Sequence, residues 1–490
     1  MMKKLYNSLF ALPMNFSIVK RFLIIGLLLA GPIVLISCSD VFDQPSGLVE
    51  ASNIEVPPLE GQDLTSFLNG NGVMMQAFYW DVEPRFDWWD LIADKTDEWA
   101  AAGIDRIWLP PASKGQSGGF SMGYDPSDYY DLGEYFQHGT TETRFGSREE
   151  LDNLIARAHE NNIEVVADIV MGHNSGGGPE FNPYRGKETF TLFNETNGNA
   201  SGLFNRSFED YHPNSIHNND EEALFFEEQD LCHLQDNVQN WLWKFDNSVA
   251  KYYKNTVGFD GWRFDYVKSF SPEFVSAWVD EVGGWSVGEF FDGNANLVRE
   301  WVAAAGVNAF DFPCLFQMRD AFERNDLSIL QNGDMLWKTN PGDAVTFVAN
   351  HDTDREPVIE EEYKLFAYAF ILTHPGYPTL FYLDYENEEF KEKLNQLILI
   401  NRTIATGDLE VLYSDGDEYI ASRSGDGDNP GLVIYINRNG LELSREVTTH
   451  WAGQELHDYI GGITTGLSTD DSGTVLLKAP ANGYAVWSIK

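Results

Sequence analysis

Short apolar runs alternate with amphipathic stretches over most of the chain. Eight runs read as strands: Val73–Tyr79, Ile104–Leu109, Ile163–Val170, Phe259–Asp265, Trp285–Glu289, Val307–Asp311, Ala344–Asn350 and Pro378–Leu383. Several are apolar almost throughout, the pattern of parallel strands buried on both faces. The stretches between them carry helix signals. Ser147-x-x-Glu150 is a capping box, and Leu151, Leu154, Ile155 and Ala158 follow at helical spacing. Ser271-Pro272-Glu273 supplies a cap, a proline at the first helical position and an acid in the first turn. Strands and helices alternating in this way predict an α/β fold, a (β/α)8 TIM barrel over residues 66–405. An open doubly wound sheet is the competing arrangement. No Gly-x-Gly-x-x-Gly follows the first strand, so a dinucleotide site is disfavoured.

Two regions break the alternation. Roughly 90 residues separate Val170 from Phe259, and residues 174–229 among them are rich in Gly, Asn, His and acids. A connection of that length is functional or a unit of its own, so a small inserted domain after the third strand is expected. Gln239 to Thr256 then reads as the third helix, with Trp241, Leu242, Phe245, Val249 and Tyr252 facing inward. From residue 406 to 490 the texture changes. Tyr419–Ser424, Leu432–Asn437 and Tyr484–Ile489 alternate apolar with polar between Gly, Asp and Asn clusters, which predicts a C-terminal antiparallel β domain.

Composition narrows the function. The 490 residues are 43% hydrophobic, enough for a large core. Lys plus Arg number 33 against 76 Asp plus Glu, a formal charge of -43, so nucleic acid is not an expected partner. The acids are spread along the chain and keep its surface hydrated; adaptation to salty water is the sharper alternative. The N-terminus reads as an export signal over residues 1–37. Lys20-Arg21 precede the apolar run Phe22 to Ile36, and Leu35-Ile36-Ser37-Cys38 closes it. The run contains Gly31-Pro32 and is short for a membrane span. The closing four residues resemble the bacterial lipobox, which implies lipidation at Cys38 and a membrane anchor. Residues 38–65, with Pro45, Gly47, Pro57, Pro58 and Gly61, read as a tether. Cys232 and Cys314 are expected as buried free thiols, and no spacing suggests zinc.

In a barrel of this kind the C-terminal strand ends face one mouth. They carry Asp168 and His173, then Arg263 and Asp265 with Lys268 beyond, then Glu289, then Asn350, His351 and Asp352. Carboxylates gathered at one end repel each other unless a task requires them. Glycoside hydrolysis does: one acid protonates the leaving oxygen and a second carboxylate attacks the anomeric carbon or activates water. Arg263, two residues before Asp265, projects to the same side of its strand and favours the ionised form. Glu289 follows Val287-Gly288, where an apolar wall can hold its proton.

These residues stand in four segments that resemble the α-amylase family of glycoside hydrolases: Asp168-Ile-Val-Met-Gly-His173, Gly258-Phe-Asp-Gly-Trp-Arg-Phe-Asp265-Tyr-Val-Lys268, Val287-Gly-Glu289 and Phe347-Val-Ala-Asn-His351-Asp352. Met75-Gln-Ala-Phe-Tyr-Trp80 and Gly376-Tyr-Pro-Thr-Leu-Phe-Tyr382 are similar to the plant and archaeal members. The resemblance implies Asp265 as nucleophile, Glu289 as acid and then base, and Asp352 as the group that holds sugar hydroxyls while the ring distorts. It implies sugar contacts for Arg263, His173, His351 and Lys268, a stacking role for Tyr124 in Gly123-Tyr-Asp-Pro, and an orienting role for Asp168. It also implies a calcium ion bound by Asp220, Ala223 and Asp230, with Ser269 near the position of a backbone carbonyl ligand. The family's asparagine before the first histidine is here Gly172, with Asn174 as a replacement. The expected substrate is an α-1,4-glucan: starch, glycogen or maltooligosaccharides, cut internally by a monomer. A glucanotransferase or maltooligosaccharide hydrolase uses the same machinery. A non-catalytic glycan-binding lipoprotein predicts loss of the carboxylates, and all three are present.

Overall fold

A computed structural model describes residues 72–218 and 226–490. Eight parallel strands close into a barrel: β1 (Met74–Gln76), β2 (Arg106–Trp108), β3 (Glu164–Ile169), β4 (Gly261–Phe264), β5 (Trp285–Gly288), β6 (Asn308–Phe310), β7 (Ala344–Phe347) and β8 (Tyr377–Phe381). Each pairs with its successor, and β1 closes on β8 through Met75 and Leu380. All eight expected strands form, most of them trimmed at the ends. The apolar residues facing the helices and those facing the barrel axis are both buried, which is why the runs read as continuous.

The helices on the outside follow their signals. Ser147 caps the helix Arg148–Glu160 through the Glu150 amide, the capping box closes, and Leu151, Leu154, Ile155 and Ala158 are buried. Pro272 opens the helix Pro272–Val282, which buries Phe274, Val275 and Trp278. The expected third helix departs from its prediction. It breaks between Lys244 and Val249, and Phe245 is half-exposed instead of facing inward. The interruption is Asp246-Asn247-Ser248, side chains that compete for backbone groups. Ser248 donates its hydroxyl to the Trp243 carbonyl at 3.1 Å.

Between β3 and β4 the chain forms a two-stranded hairpin, Gly178–Asn182 with Lys187–Leu192, and returns through bridges from Phe193 to Arg206 and from Tyr211 to Leu231. Its anchor is Arg206, fully buried with its guanidinium over the rings of Phe193 and Trp241 at 4.3 and 4.4 Å. A cation between two aromatic faces is stabilised there without leaving an uncompensated charge in the core.

After residue 405 the chain makes a six-stranded antiparallel sheet and a two-stranded partner. The expected strands appear as Glu418–Arg423, Leu432–Asn437 and Gly483–Ser488. Between the layers lies a separate core of Ile420, Val433, Tyr435, Trp451, Leu477 and Trp487. Cys232 and Cys314 are buried free thiols, as expected. The signal segment, the tether and Cys38 lie outside the described residues, as do Asp220 and Ala223.

Candidate active site

The C-terminal ends of β3, β4, β5 and β7 deliver their polar residues to one place, and Arg263 organises them. Its side chain is fully buried. Nη1 donates to Asp168 at 2.9 Å and to Asp265 Oδ1 at 2.8 Å, while Nη2 is 2.8 Å from Glu289 Oε2. Asp265 thus hydrogen-bonds Nη1 and Glu289 forms an ion pair with Nη2 of the same guanidinium. Asp168 also accepts from the Tyr124 hydroxyl at 2.7 Å and the Trp108 indole at 3.1 Å, so it orients both Arg263 and Tyr124.

Glu289 Oε2 receives a second donor, the Tyr266 amide at 3.0 Å. Burial pushes the Glu289 carboxyl up to about 8; Arg263 opposes this, and Asp265 and Asp352 add to it. Burial likewise pushes Asp168 up to about 7 against the pull of Arg263. Asp352 stands in the mouth with its side chain 54% exposed. The surrounding walls raise its carboxyl, again opposed by Arg263. Asn350 Oδ1 accepts from the amides of Asp352 and Thr353 at 3.0 and 2.9 Å, a local turn that fixes the backbone at Asp352.

His351 is buried, and burial with the neighbouring Arg263 charge holds it well below the usual imidazole range. It is neutral, with Nδ1 bonded to the Gln76 amide at 3.0 Å and Nε2 3.6 Å from Asp352 Oδ2. Its ring lies 9° from parallel to Tyr124 and 13° from parallel to Trp80, at 5.1 and 6.0 Å between centroids. His173, also lowered by burial, bonds the Tyr124 carbonyl through Nε2 at 3.0 Å. Lys268 lies off the carboxylate cluster, paired with Asp292 at 3.2 Å.

Sequence reasoning passed over Gln76, Trp80 and Trp108 as site residues. Gln76 is the last residue of β1 and fully buried. A polar side chain at a strand's C-terminal end is the same signal that found Asp168, and it would have found Gln76. Gly288 has a separate reason to be glycine, because a β-carbon there would sit 2.1 Å from the Trp301 ring.

Of the implied calcium ligands in the described residues, the Asp230 carboxylate already has a partner. Asp230 Oδ2 lies 2.8 Å from Nδ1 of His212, and Ser269 donates its hydroxyl to the Tyr266 carbonyl. Asn174 accepts from Tyr211 at 3.0 Å and donates to Tyr129 at 3.3 Å. A β-carbon on Gly172 would meet Ser269 Oγ at 2.5 Å, so a side chain there would have to turn the Ser269 hydroxyl aside. Calcium needs about six to eight oxygens. Among the described residues no group of three or more His, Cys, Asp or Glu side chains could hold a metal ion. Asp220 and Ala223 lie outside the described residues, so the described residues alone do not make up the implied set.

Comparison with known proteins gives two family matches. Residues 66–382 match the α-amylase catalytic domain, and residues 432–488 match the α-amylase C-terminal domain. The cytoplasmic α-amylase of Escherichia coli is 26% identical over 493 residues, covering 86% of this chain and 99% of that protein. A glucan 1,4-α-maltohexaosidase of a Bacillus species is 28% identical over 382 residues, covering 66% and 72%. The crystal structure of an Anoxybacillus α-amylase superposes with a TM-score of 0.64 at 19% identity, over 88% of this chain and 99% of that one, a likeness of fold. With the catalytic model spanning well over half its length and the carboxylates in place, the chain belongs to the α-amylase family.

Proposed function

We propose that this chain is a retaining α-amylase that hydrolyses internal α-1,4-glucosidic bonds of starch- and glycogen-type glucans. The observation that carries the reading is the sharing of Arg263 by Asp265 and Glu289. A nucleophile and an acid must flank one glycosidic bond, and two carboxyl groups on one guanidinium do so.

Arg263 engages Asp265 Oδ1 and leaves Oδ2 for the anomeric carbon. Tyr266 and Arg263 engage Glu289 Oε2, so the acidic proton belongs on Oε1, toward the leaving oxygen. With its carboxyl held up to about 8, Glu289 carries that proton at neutral pH. Attack by Asp265 forms a β-glucosyl ester as Glu289 protonates the departing sugar. Glu289 then takes a proton from water, the water oxygen attacks the anomeric carbon, and the Asp265 ester bond breaks. Two inversions retain configuration. Asp352 accepts hydrogen bonds from ring hydroxyls as the sugar flattens, His351 donates from Nε2, and Tyr124 supplies an aromatic face. His173 and Lys268 contact the sugars on either side of the cut.

The maltohexaosidase relative keeps a second reading open, in which the same residues release oligosaccharides from a chain end. A sugar taking the place of water would make a glucanotransferase. Timed assays on amylose separate these. Internal cutting lowers viscosity before reducing ends accumulate, whereas end-wise release does the reverse.

Export with lipidation at Cys38 belongs to the same proposal, and Lys20-Arg21, the apolar run and Leu35-Ile36-Ser37-Cys38 support it. Incorporation of labelled palmitate that disappears in Cys38→Ala would establish it, and partition of wild type into the aqueous phase of a detergent extract would overturn it. The described residues contain no helix long and apolar enough to cross a membrane.

A further inference from the structure

Lys114 is fully buried, and its ammonium is ringed by oxygen. Nζ donates to the backbone carbonyls of Tyr135, Thr140 and Glu142 at 3.4, 3.3 and 3.3 Å, and to that of Thr141. The Asp131 carboxylate, also fully buried, lies 3.5 Å away. Several oxygens around one point charge is the environment of a bound metal ion. Here the cation is part of the chain. Without it, the carbonyls of three successive residues would turn their negative ends toward one unfilled point. Burial lowers the ammonium from the usual lysine range, and Asp131 opposes this.

The segment gripped in this way has little regular structure. Residues 132–142 form bends, a turn and one isolated bridge from Gln137 to Thr140, so side chains must fix its shape. Asp131 Oδ1 accepts from the amides of Gly133, Glu134 and Tyr135 at 3.0, 3.0 and 3.2 Å, and Oδ2 accepts from the Gln137 side chain at 2.7 Å. The carboxylate that faces Lys114 is thus the one that shapes the segment.

The other end of the link is Tyr124. Lys114 opens the short strand Lys114–Gly115, which pairs with Pro126–Asp128. Residues 116–125 connect the two strands and carry Tyr124. The Gln116 amide donates to the Asp125 carbonyl at 2.8 Å, and the Lys114 amide to the Asp131 carbonyl at 2.8 Å. The loop bearing Tyr124 is therefore closed at its base by a strand pair that Lys114 ties to residues 135–142.

We propose that Lys114 is a positioning residue for Tyr124, its ammonium filling a built-in cation site that holds the base of the Tyr124 loop against residues 135–142. The inference rests on the amylase reading above, in which Tyr124 is the platform for a glucose ring. A compact ammonium with three donors suits a ring of carbonyls, where a planar guanidinium would not.

The test is a double-mutant cycle in the full chain, read as kcat/KM on maltoheptaose well below the unfolding temperature of each variant. Lys114→Met keeps the aliphatic stem and removes the charge. It is expected to lower kcat/KM about tenfold, the effect of a misplaced sugar platform. In a Tyr124→Ala background the same substitution should cost less than about twofold, because the platform it positions is gone. Losses that simply multiply overturn the proposal, since a lysine that only stabilises the fold has no reason to couple to Tyr124. Wild-type kcat/KM in Lys114→Met overturns it as well. If Lys114→Met does not fold, Asp131→Asn takes its place. The amide oxygen still accepts from the three backbone amides, while the charge facing Nζ is lost. Coupling of Asp131→Asn to Tyr124→Ala supports the proposal, and independent losses overturn it. Wild type failing to cut maltoheptaose overturns the amylase reading and this inference with it, whereas independent losses in an active enzyme overturn this inference alone.

Discussion

The side-chain amide of Gln76 bonds Nδ1 of His351 at 3.0 Å inside the barrel, and this contact fixes which nitrogen of the imidazole carries the proton. With Nδ1 accepting, the proton sits on Nε2, the nitrogen on the Asp352 side. Gln76→Leu removes that preference and should lower kcat about tenfold, equivalent to roughly 1–2 kcal/mol of lost orientation. Gln76→Glu places a carboxyl beside Nδ1, favours the proton there and raises the imidazole pKa, so the acidic limb of the rate profile should move. Full pH profiles for both variants check this, and two profiles superimposable on wild type would count against the orientation.

Asp265→Asn and Glu289→Gln should each reduce turnover by roughly three to five orders of magnitude while starch affinity survives. The Glu289→Gln loss should shrink on an activated aryl glycoside, whose leaving group needs no proton, and azide should restore part of the second step. Asp265→Asn has no such bypass. Equal responses of the two variants to the activated substrate would contradict the assigned roles.

Much of this site was legible before any coordinates. Continuous apolar runs could only be strands buried on both faces, and acids at their ends had nowhere to point but the mouth. Other features left no such trace. The Leu443–Thr448 strand reads Leu-Ser-Arg-Glu-Val-Thr and pairs only at one edge, so its alternation is weak. The helix break at Phe245 depended on the Ser248 hydroxyl taking the Trp243 carbonyl. Whether Asp230 faced a metal or a histidine depended on His212, 18 residues away and silent in any motif.

Glu289 should set the alkaline limit of activity. Its carboxyl is held up to about 8 and must be protonated to act, so kcat/KM should fall with unit slope as pH rises through about 8. The stability sign follows from the same shift. A carboxyl raised from 4.5 in the folded state contributes stability that is complete below 4.5 and lost as pH climbs to about 8. Glu289→Gln removes that loss, so its Tm relative to wild type should rise between pH 5 and pH 9. A Tm difference independent of pH would show that Glu289 is not raised.

Chelation tests the implied ion directly. Asp230 is paired with His212, and Gly172 lacks the side chain of the family's asparagine. Dialysis against EDTA should leave Tm within about 2 °C of the untreated protein, since loss of a bound ligand lowers Tm only when one was bound. Metal analysis of the purified chain should find calcium below one equivalent. A stoichiometric ion, or a chelator-induced fall of ten degrees, would show that residues beyond those described complete a site.

Gly288 offers the sharpest link between packing and chemistry, because it precedes Glu289 and lies under Trp301. A β-carbon at 288 would come within 2.1 Å of the indole, which is 5% exposed and has little room to move. Gly288→Ala must therefore displace either the ring or β5. The cost of such overpacking is about 1–3 kcal/mol, seen as a drop of several degrees in Tm. Displacing β5 would also move Glu289 away from Arg263 and the Tyr266 amide, lowering kcat by more than the stability loss explains. The double variant Gly288→Ala/Trp301→Leu opens space for the new methyl group and should recover both. Recovery of Tm without recovery of kcat would mean that the aim of Glu289 depends on the Trp301 ring itself and not on the position of β5.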